Sequence, residues 1–574
     1  MKYIGLKFGL TGRSCSSARV MLVLALHALV PAVLAQTVPP ASVDPSRLRD
    51  RLDLPPETER PLEQRETNIQ QGSALPDSMK SVRVTLKTIR ITGATALTAD
   101  VLQAAADSYT GREISGNDIL ELASSLTAMY RNAGYILSVV VVPPQSLESG
   151  LLTLHVVEGY IGNVTVRAGD GVSDHVRASL AEAGERIRAS RPINASVLER
   201  YLLIANDFPG VTLRSVLAPS QLPGAADLTL VASLKKTEGF VAVDNYGSRY
   251  LGPMQAFVGV GVNQLLGIND QWRFTAAGTG NSEMSFAQIW YSQVLNAEGL
   301  KLSAIVSSAR TRPGDSLKPF DVRGNADTYS LGLSYPLLRT RNESLLLRGT
   351  YEHADIHTDI LGTRVVQDHV RALRLGLGWR VLDRLDGQNT LDVDFSQGLG
   401  GTQASDLLKS RVGADGVFSK LTFDYERSQP LGPGTSLVAG VGGQWANTPL
   451  LSSEQYALGG RRFGRGYEPA EVTGERALAL RIEPRYTAAF NRYGLRSWQF
   501  FGFYDIGRVW KLGTPTPGVA SSPSLASAGM GARLFFEKNM FGVIDAAWPL
   551  TRPLASNPAK GKSVRLLASL VLRF

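Results

Sequence analysis

Cysteine is nearly missing: the 574 residues hold one, Cys15, near the start of the chain. It falls in a segment that reads as a cleaved signal, so the mature chain is expected to have no disulfide, thiol nucleophile or thiolate metal site. Long apolar runs are missing too. After residue 35 no run of about twenty apolar residues occurs, which excludes a transmembrane helix. If such a chain lives in a membrane, it must be a closed barrel, because only helices and barrels satisfy every backbone polar group in lipid. Enzyme signatures are absent as well: there is no G-x-S-x-G, H-E-x-x-H or dinucleotide fingerprint. "AKGKS" at 559–563 has the tail of a phosphate loop, but Ser556 stands where its first glycine belongs and a strand comes next instead of a helix. The net charge of +9 is scattered in single residues instead of being gathered in a patch, which argues against nucleic acid. No enzyme activity, cofactor or nucleic-acid partner is expected.

The N-terminus has basic Lys2, Lys7, Arg13 and Arg19, then the apolar "VMLVLALHALVPAVLA" ending in small residues. This is a secretory signal pattern, with cleavage expected after Ala35 and residues 1–35 removed. Residues 36–81 are rich in Pro, Glu, Arg and Gln and read as a short helix and a linker. In "VDPSRLRDRLDL" Asp44 is the expected N-cap and Pro45 the first helical residue, while Pro55, Pro56 and Pro61 stop or kink the helix.

Two small α/β modules come next, at 82–159 and 160–236, each in the order β-α-α-β-β. In the first, "VTLKTIRITG" alternates as one strand, Asn117 is the expected cap of the second helix, and Ile119, Leu122, Leu126 and Met129 form its apolar stripe. "YILSVVVVPPQ" and "GLLTLHVVEG" close the module as strands, and the second copy repeats the architecture.

From 237 to 574 helical periodicity gives way to alternation. "RALRLGLGWRV" puts Leu373, Leu375, Leu377 and Trp379 on one face and Arg374 and Arg380 on the other. "NTLDVDFSQG" sets Leu391, Val393 and Phe395 against Asp392 and Asp394. "SVRLLASLVLRF" puts Val564, Leu566, Leu570, Leu572 and Phe574 on one face. Apolar outward and polar inward is the pattern of a transmembrane barrel. Sixteen such segments start near 239, 255, 271, 284, 299, 327, 343, 371, 389, 416, 434, 475, 497, 526, 540 and 564. Connections after even-numbered segments are short, as in "GIND" and "NAEG". Those after odd-numbered segments are often long, as at 309–326, 353–370 and 445–474. That parity is expected of a barrel with short periplasmic turns and long outer loops. The fold class read here is an all-β transmembrane barrel of sixteen antiparallel strands preceded by two α/β modules. "YEHADIHTD" places His353 and His357 four apart beside Asp355 and Asp359, a spacing that binds zinc on a helix. It lies in the polar outer loop expected at 353–370, and no metal site is assigned to it.

One loop stands apart. "GGRRFGRGYEP" at 459–469 holds four glycines and three arginines within the long loop before segment twelve, and segment thirteen, "WQFFGFYDIGRVW", has Asp505. Together with "ITGATALTADVL" and "RYLLIANDFPGVTLRS", these stretches resemble the two-partner secretion (TpsB) transporters of haemolysin and filamentous-haemagglutinin type, whose modules are POTRA domains. The resemblance covers almost the whole mature chain. It implies that the sixth loop folds back into the barrel through Gly464, Arg465, Gly466 and Tyr467, and that Arg465 meets Asp505. At Gly464 the sequence departs from the family, which more often has a β-branched residue there. The resemblance also implies an N-terminal plug helix, an outer-membrane location with POTRA modules in the periplasm, and a large adhesin or cytolysin as exoprotein, bound near its N-terminus. Outer-membrane lipid and a barrel-assembly machinery are the other implied partners. A barrel-assembly insertase of the same superfamily and a plain diffusion porin are the alternatives.

Overall fold

The computed structural model describes residues 39–51, 83–401, 408–513, 520–537, 539–553 and 561–574. The signal segment and the linker prolines Pro55, Pro56 and Pro61 lie outside the described residues.

Sixteen antiparallel strands close into a barrel. They run from Thr237–Asp244 through Leu495–Trp510, the thirteenth, to Arg565–Arg573, the sixteenth. The sixteenth pairs with the first from Ser569↔Asp244 to Arg573↔Phe240, which leaves no free edge. Alternation sorts the two faces. Leu373, Leu375, Phe395, Leu480 and Leu570 are exposed on the outside, a belt that only lipid would cover. The lumen holds their neighbours in sequence: Arg348 donates to Asp392 at 2.9 Å, and Arg374 donates to Glu352 and Glu454 at 2.8 and 2.7 Å.

The strand starts agree with the alternation to within about four residues except at the eighth strand, which begins at Thr363 instead of near 371, and the seventh strand runs longer than expected. Residues 353–370, expected to be a long loop, are instead the outer halves of Glu343–Ile360 and Thr363–Leu382. Leu361 and Gly362 turn between them at φ +50° and +77°, a tight two-residue hairpin connection. The polar residues that suggested a loop, His353, Asp355 and His357, alternate with buried Ala354, Ile356 and Thr358. Strand pairing therefore continues past the belt, with the outward face turning polar where lipid no longer covers it.

In the first module the expected opening strand is two: Arg83–Thr85 pairs with Glu113–Ser115, while Thr88–Thr92 runs parallel to Leu151–Val157. Helix Gly116–Asn132 is capped by Ser115, not Asn117, because Ser115 and Asp118 form a reciprocal capping box. Its buried stripe ends on Tyr130, with Met129 only partly covered. The segment "YILSVVVVPPQ" contributes a short strand, Val139–Val141. The second module joins Tyr160–Ala168, Ala225–Leu234 and Val211–Pro219 in that sheet order, under helices Asp174–Ala189 and Ala195–Asn206. It is docked on the barrel rim. Ser173 Oγ donates to the Gly267 carbonyl at 2.7 Å, Tyr201 donates to Glu298 at 2.7 Å, and Arg339 grips both oxygens of Asp207 at 2.8 and 2.9 Å. The short turns after even-numbered strands are thus the ones facing the modules.

Candidate functional site in the barrel lumen

The connection between the eleventh strand, Thr435–Ala446, and the twelfth, Arg476–Arg492, turns inward. Within it Tyr456–Leu458 pairs with Val472–Gly474 as a small hairpin, and Leu458, Phe463, Tyr467 and Val472 pack on Ala477, Ala479, Val509 and Leu525 of the wall. Residues 459–471 are therefore held inside the lumen by apolar packing before any charge is considered.

Two glycines shape the tip. Gly464 sits at φ +92°, where a β-branched residue would be strained, and a Cβ there would lie 2.6 Å from Leu525 Cδ1. This accounts for the departure noted in the sequence: the residue fits the backbone this loop adopts. Gly466 lies against the fifteenth strand, where a Cβ would come within 2.8 Å of the Pro549 nitrogen and the Trp548 carbonyl carbon.

Arg465 lies between them and meets the wall. Its Nε donates to Asp505 Oδ2 at 3.1 Å and its Nη2 to Oδ1 at 3.0 Å, a bidentate fork. Asp505 Oδ2 also accepts the backbone N–H groups of Gly464 and Arg465, each at 3.2 Å. The guanidinium lies 3.5 Å from the centre of the Phe503 ring. Asp505 is completely buried and Arg465 is 6% exposed. Tyr467 is buried too, and its hydroxyl accepts from the backbone N–H groups of Thr551 and Arg552 at 3.2 Å. The structure thus brings together all five residues singled out in the sequence.

Other members of the cluster escaped the sequence reading. Arg465 Nη1 donates to Glu483 Oε2 at 2.6 Å, and Glu483 also accepts from Arg485 and Arg533, both at 2.8 Å. Arg565 donates to the Tyr467 carbonyl. In "RALALRIEPRY" Glu483 occupies the polar phase of the alternation, between Arg481 and Arg485, which marks it as lumenal. What the sequence does not show is that register brings Arg533 of the fourteenth strand and the loop arginine onto the same carboxylate.

The described N-terminal segment shares the lumen. Asp44 caps Pro45–Arg47 by accepting from the Ser46 N–H at 3.0 Å, as the sequence predicts, and the helix continues as Leu48–Arg51. Val43 and Leu48 are buried against wall residues and against Leu450 and Leu451 of the sixth loop. Arg47 donates to the backbone carbonyls of Ser452 and Gln455, and Arg49 pairs with Glu352 at 2.9 Å. Glu352 belongs to a lumenal network with Arg374, Glu454 and Lys420.

A closed barrel with an apolar exterior, a charged lumen, a loop clasped inside and α/β modules on one rim defines an outer-membrane polypeptide transporter. The model of the haemolysin secretion/activation protein family ShlB/FhaC/HecB matches residues 227–534, and that of the ShlB-type POTRA domain matches 84–159, so the chain belongs to this family of two-partner secretion transporters. It is similar to the heme/hemopexin transporter protein HuxB of Haemophilus influenzae, with 24% identity over 435 residues covering 74% of this chain and 76% of that one. It is also similar to the outer membrane transporter CdiB-2 of Burkholderia pseudomallei, with 26% identity over 482 residues covering 80% and 78%. Among solved structures, CdiB from Escherichia coli shares the fold at a TM-score of 0.69 and 18% identity, covering 98% of this chain and 100% of that one. The protein is thus an outer-membrane transporter that works with a secreted exoprotein, with its POTRA region in the periplasm.

Proposed function

We propose that Gly464, Arg465, Gly466, Tyr467 and Asp505 form the working centre of this transporter: a fixed clasp that keeps the sixth loop in the lumen and shapes the path of the exoprotein. The observation that carries this reading is the buried fork from Arg465 to Asp505, reinforced by two backbone donors on the same carboxylate. Removing one side of such a buried pair is costly, most of all Arg465, whose loss leaves the Asp505 carboxylate buried without its cation.

The exoprotein is a large adhesin or cytolysin that enters unfolded, captured near its N-terminus. Edge strands such as Val211–Pro219, paired on one side only with Ala225–Leu234, offer backbone groups to an extended chain. The segment 41–51 is a short plug that withdraws, and the lumen it occupies becomes the path. The chemistry is transport and not catalysis, and it needs neither cofactor nor metal. Residues 1–35 are the cleaved signal, and insertion uses a barrel-assembly machinery with outer-membrane lipid around the belt.

The test compares culture supernatant and outer membrane from cells with and without the gene, by mass spectrometry. Loss of one large secreted protein with other barrels unchanged is the expected result. Loss of many barrels from the membrane would instead mark an insertase.

A further inference from the structure

We propose that the outer surface of the fourth to seventh strands has a binding site for the phosphate groups of an outer-leaflet glycolipid, built on Arg310 and Arg312. A cleft of about 540 Å³ opens there, lined by Ser285, Arg310, Arg312, Arg323, Asn325 and His357 among others. Register places the row: Ser285 faces Arg310, Arg310 faces Asn325, and Asn325 faces His357. Directly opposite residues of neighbouring strands lie roughly 5 Å apart at Cβ, so the four converge on one small area.

The site lies outside the barrel and at its outer end. Thr311 points into the lumen, where its hydroxyl donates to the Val43 carbonyl, so Arg310 beside it points out. The fifth strand, Lys301–Thr311, begins at the rim where Glu298 meets the second module, so its Thr311 end is the far one. Val306, exposed on the same face, is the last bulky apolar side chain before Ser308 and Arg310. Four residues further along a tilted strand raise Arg310 about 10 Å above Val306. The headgroup layer spans roughly 5–8 Å on each side of the hydrocarbon, and a long arginine side chain bends back into it.

The charges are available. Both guanidiniums, of Arg310 and Arg312, are exposed and, among the described residues, neither makes a hydrogen bond; Arg312 lies in the field of the Asp321 carboxylate. Arg323 is bound to Asp321 at 2.7 Å. The one carboxylate lining the cleft, Asp359, is already held by Arg364. Two exposed guanidiniums, with the Ser285 hydroxyl beside them, match a phosphate that offers acceptors only, while the Asn325 amide is bound to Asp327 at 2.8 Å. The bilayer supplies that group at this height: the outer leaflet of an outer membrane is made of phosphorylated glycolipid. The proposal rests on the outer-membrane setting and not on the sixth-loop reading.

The test uses the purified full-length protein and native mass spectrometry with added diphosphoryl lipid A, phosphatidylglycerol or inorganic phosphate. The readout is lipid retention and not secretion, so failure here leaves the transport reading standing. Wild type is expected to retain diphosphoryl lipid A in preference to phosphatidylglycerol. An Arg310→Ser/Arg312→Ser variant is expected to bind it on the order of tenfold or more weakly, since each basic residue near an anionic surface is worth about one decade or slightly less. Arg167→Ser, an exposed arginine of the second module, is expected to bind as wild type. Because neither cleft guanidinium is hydrogen-bonded to the protein, the double variant should keep the barrel's heat-shifted electrophoretic mobility. Equal lipid A retention by wild type and the double variant would overturn the site. So would displacement of lipid A by inorganic phosphate at matching concentration, which would mark a free-anion site.

Discussion

The sixth loop grips the wall through an arginine that is 6% exposed, whereas the N-terminal segment grips it through Arg49, whose side chain is 40% exposed. The first sits in a fork completed by backbone donors and an aromatic face. The second is a single bond to Glu352, and that carboxylate is already neutralised by Arg374. Arg47, 4% exposed, donates to two backbone carbonyls of the sixth loop and to no wall carboxylate, so it ties the segment to the loop and not to the wall. Buried charge pairs are costly to break from one side, while exposed ones contribute about 0–1 kcal/mol. The two lumenal segments thus differ in how firmly they are held, and the difference separates a fixed element from a removable one.

Breaking the firm side should have the largest effect. Arg465→Ala leaves the buried Asp505 carboxylate without its cation, a loss of about 3–5 kcal/mol, while Asp505→Ala leaves Arg465 with Glu483 as its remaining carboxylate and should cost less. Secretion should be abolished in both, while heat-shifted mobility shows that the barrel still inserts. Normal secretion by both variants would remove the clasp from the account.

Removing the weak side should do something different. A chain lacking residues 41–51 should show larger single-channel conductance in planar bilayers, since the lumen loses Val43, Leu48 and the helix they belong to. Secretion should persist. Unchanged conductance would mean the segment does not obstruct the pore.

The smallest effect belongs to Arg49→Ala. It removes one half-exposed pair and leaves Glu352 bound to Arg374, so conductance should rise only slightly and thermal stability should change by about 1 kcal/mol or less. A change as large as that of the deletion would show Arg49 to be the main tether.

Much of this is legible in the residues. Alternation such as Leu373–Trp379 against Arg374 and Arg380 marks strands with one apolar face, and the count of such runs together with the short-turn, long-loop parity points to a barrel wall. The loop arginine and Asp505 are found through the resemblance and not by physics alone, since nothing local distinguishes Arg465 from Arg461 or Arg462. Glu483 escapes notice because its role depends on register: only the closed sheet puts Arg533, Arg485 and Arg465 around it. The hairpin at 353–370 reads wrongly as a loop because the outward face changes from Tyr351 to His353 and Asp355 where the lipid ends, and a polar run looks like the end of a strand. Ser115 is overlooked as a cap because the capping box places the reciprocal partner, Asp118, three residues on, and Asn117 is simply the second residue of the helix.

The central claim is that the loop stays while the segment leaves, and cross-linking tests it most directly. The expected mature chain has no cysteine of its own, so paired cysteines can be placed cleanly. One pair, Val43→Cys with Thr311→Cys, ties the segment to the fifth strand at a contact of 3.1 Å between the Thr311 hydroxyl and the Val43 carbonyl. The other, Leu458→Cys with Gly507→Cys, ties the sixth-loop hairpin to the thirteenth strand, where a Cβ on Gly507 would lie 2.7 Å from Leu458 Cδ1. Oxidation of the first pair should stop secretion and reduction should restore it, whereas oxidation of the second should leave secretion running. Secretion that survives the first cross-link and stops with the second would contradict the account.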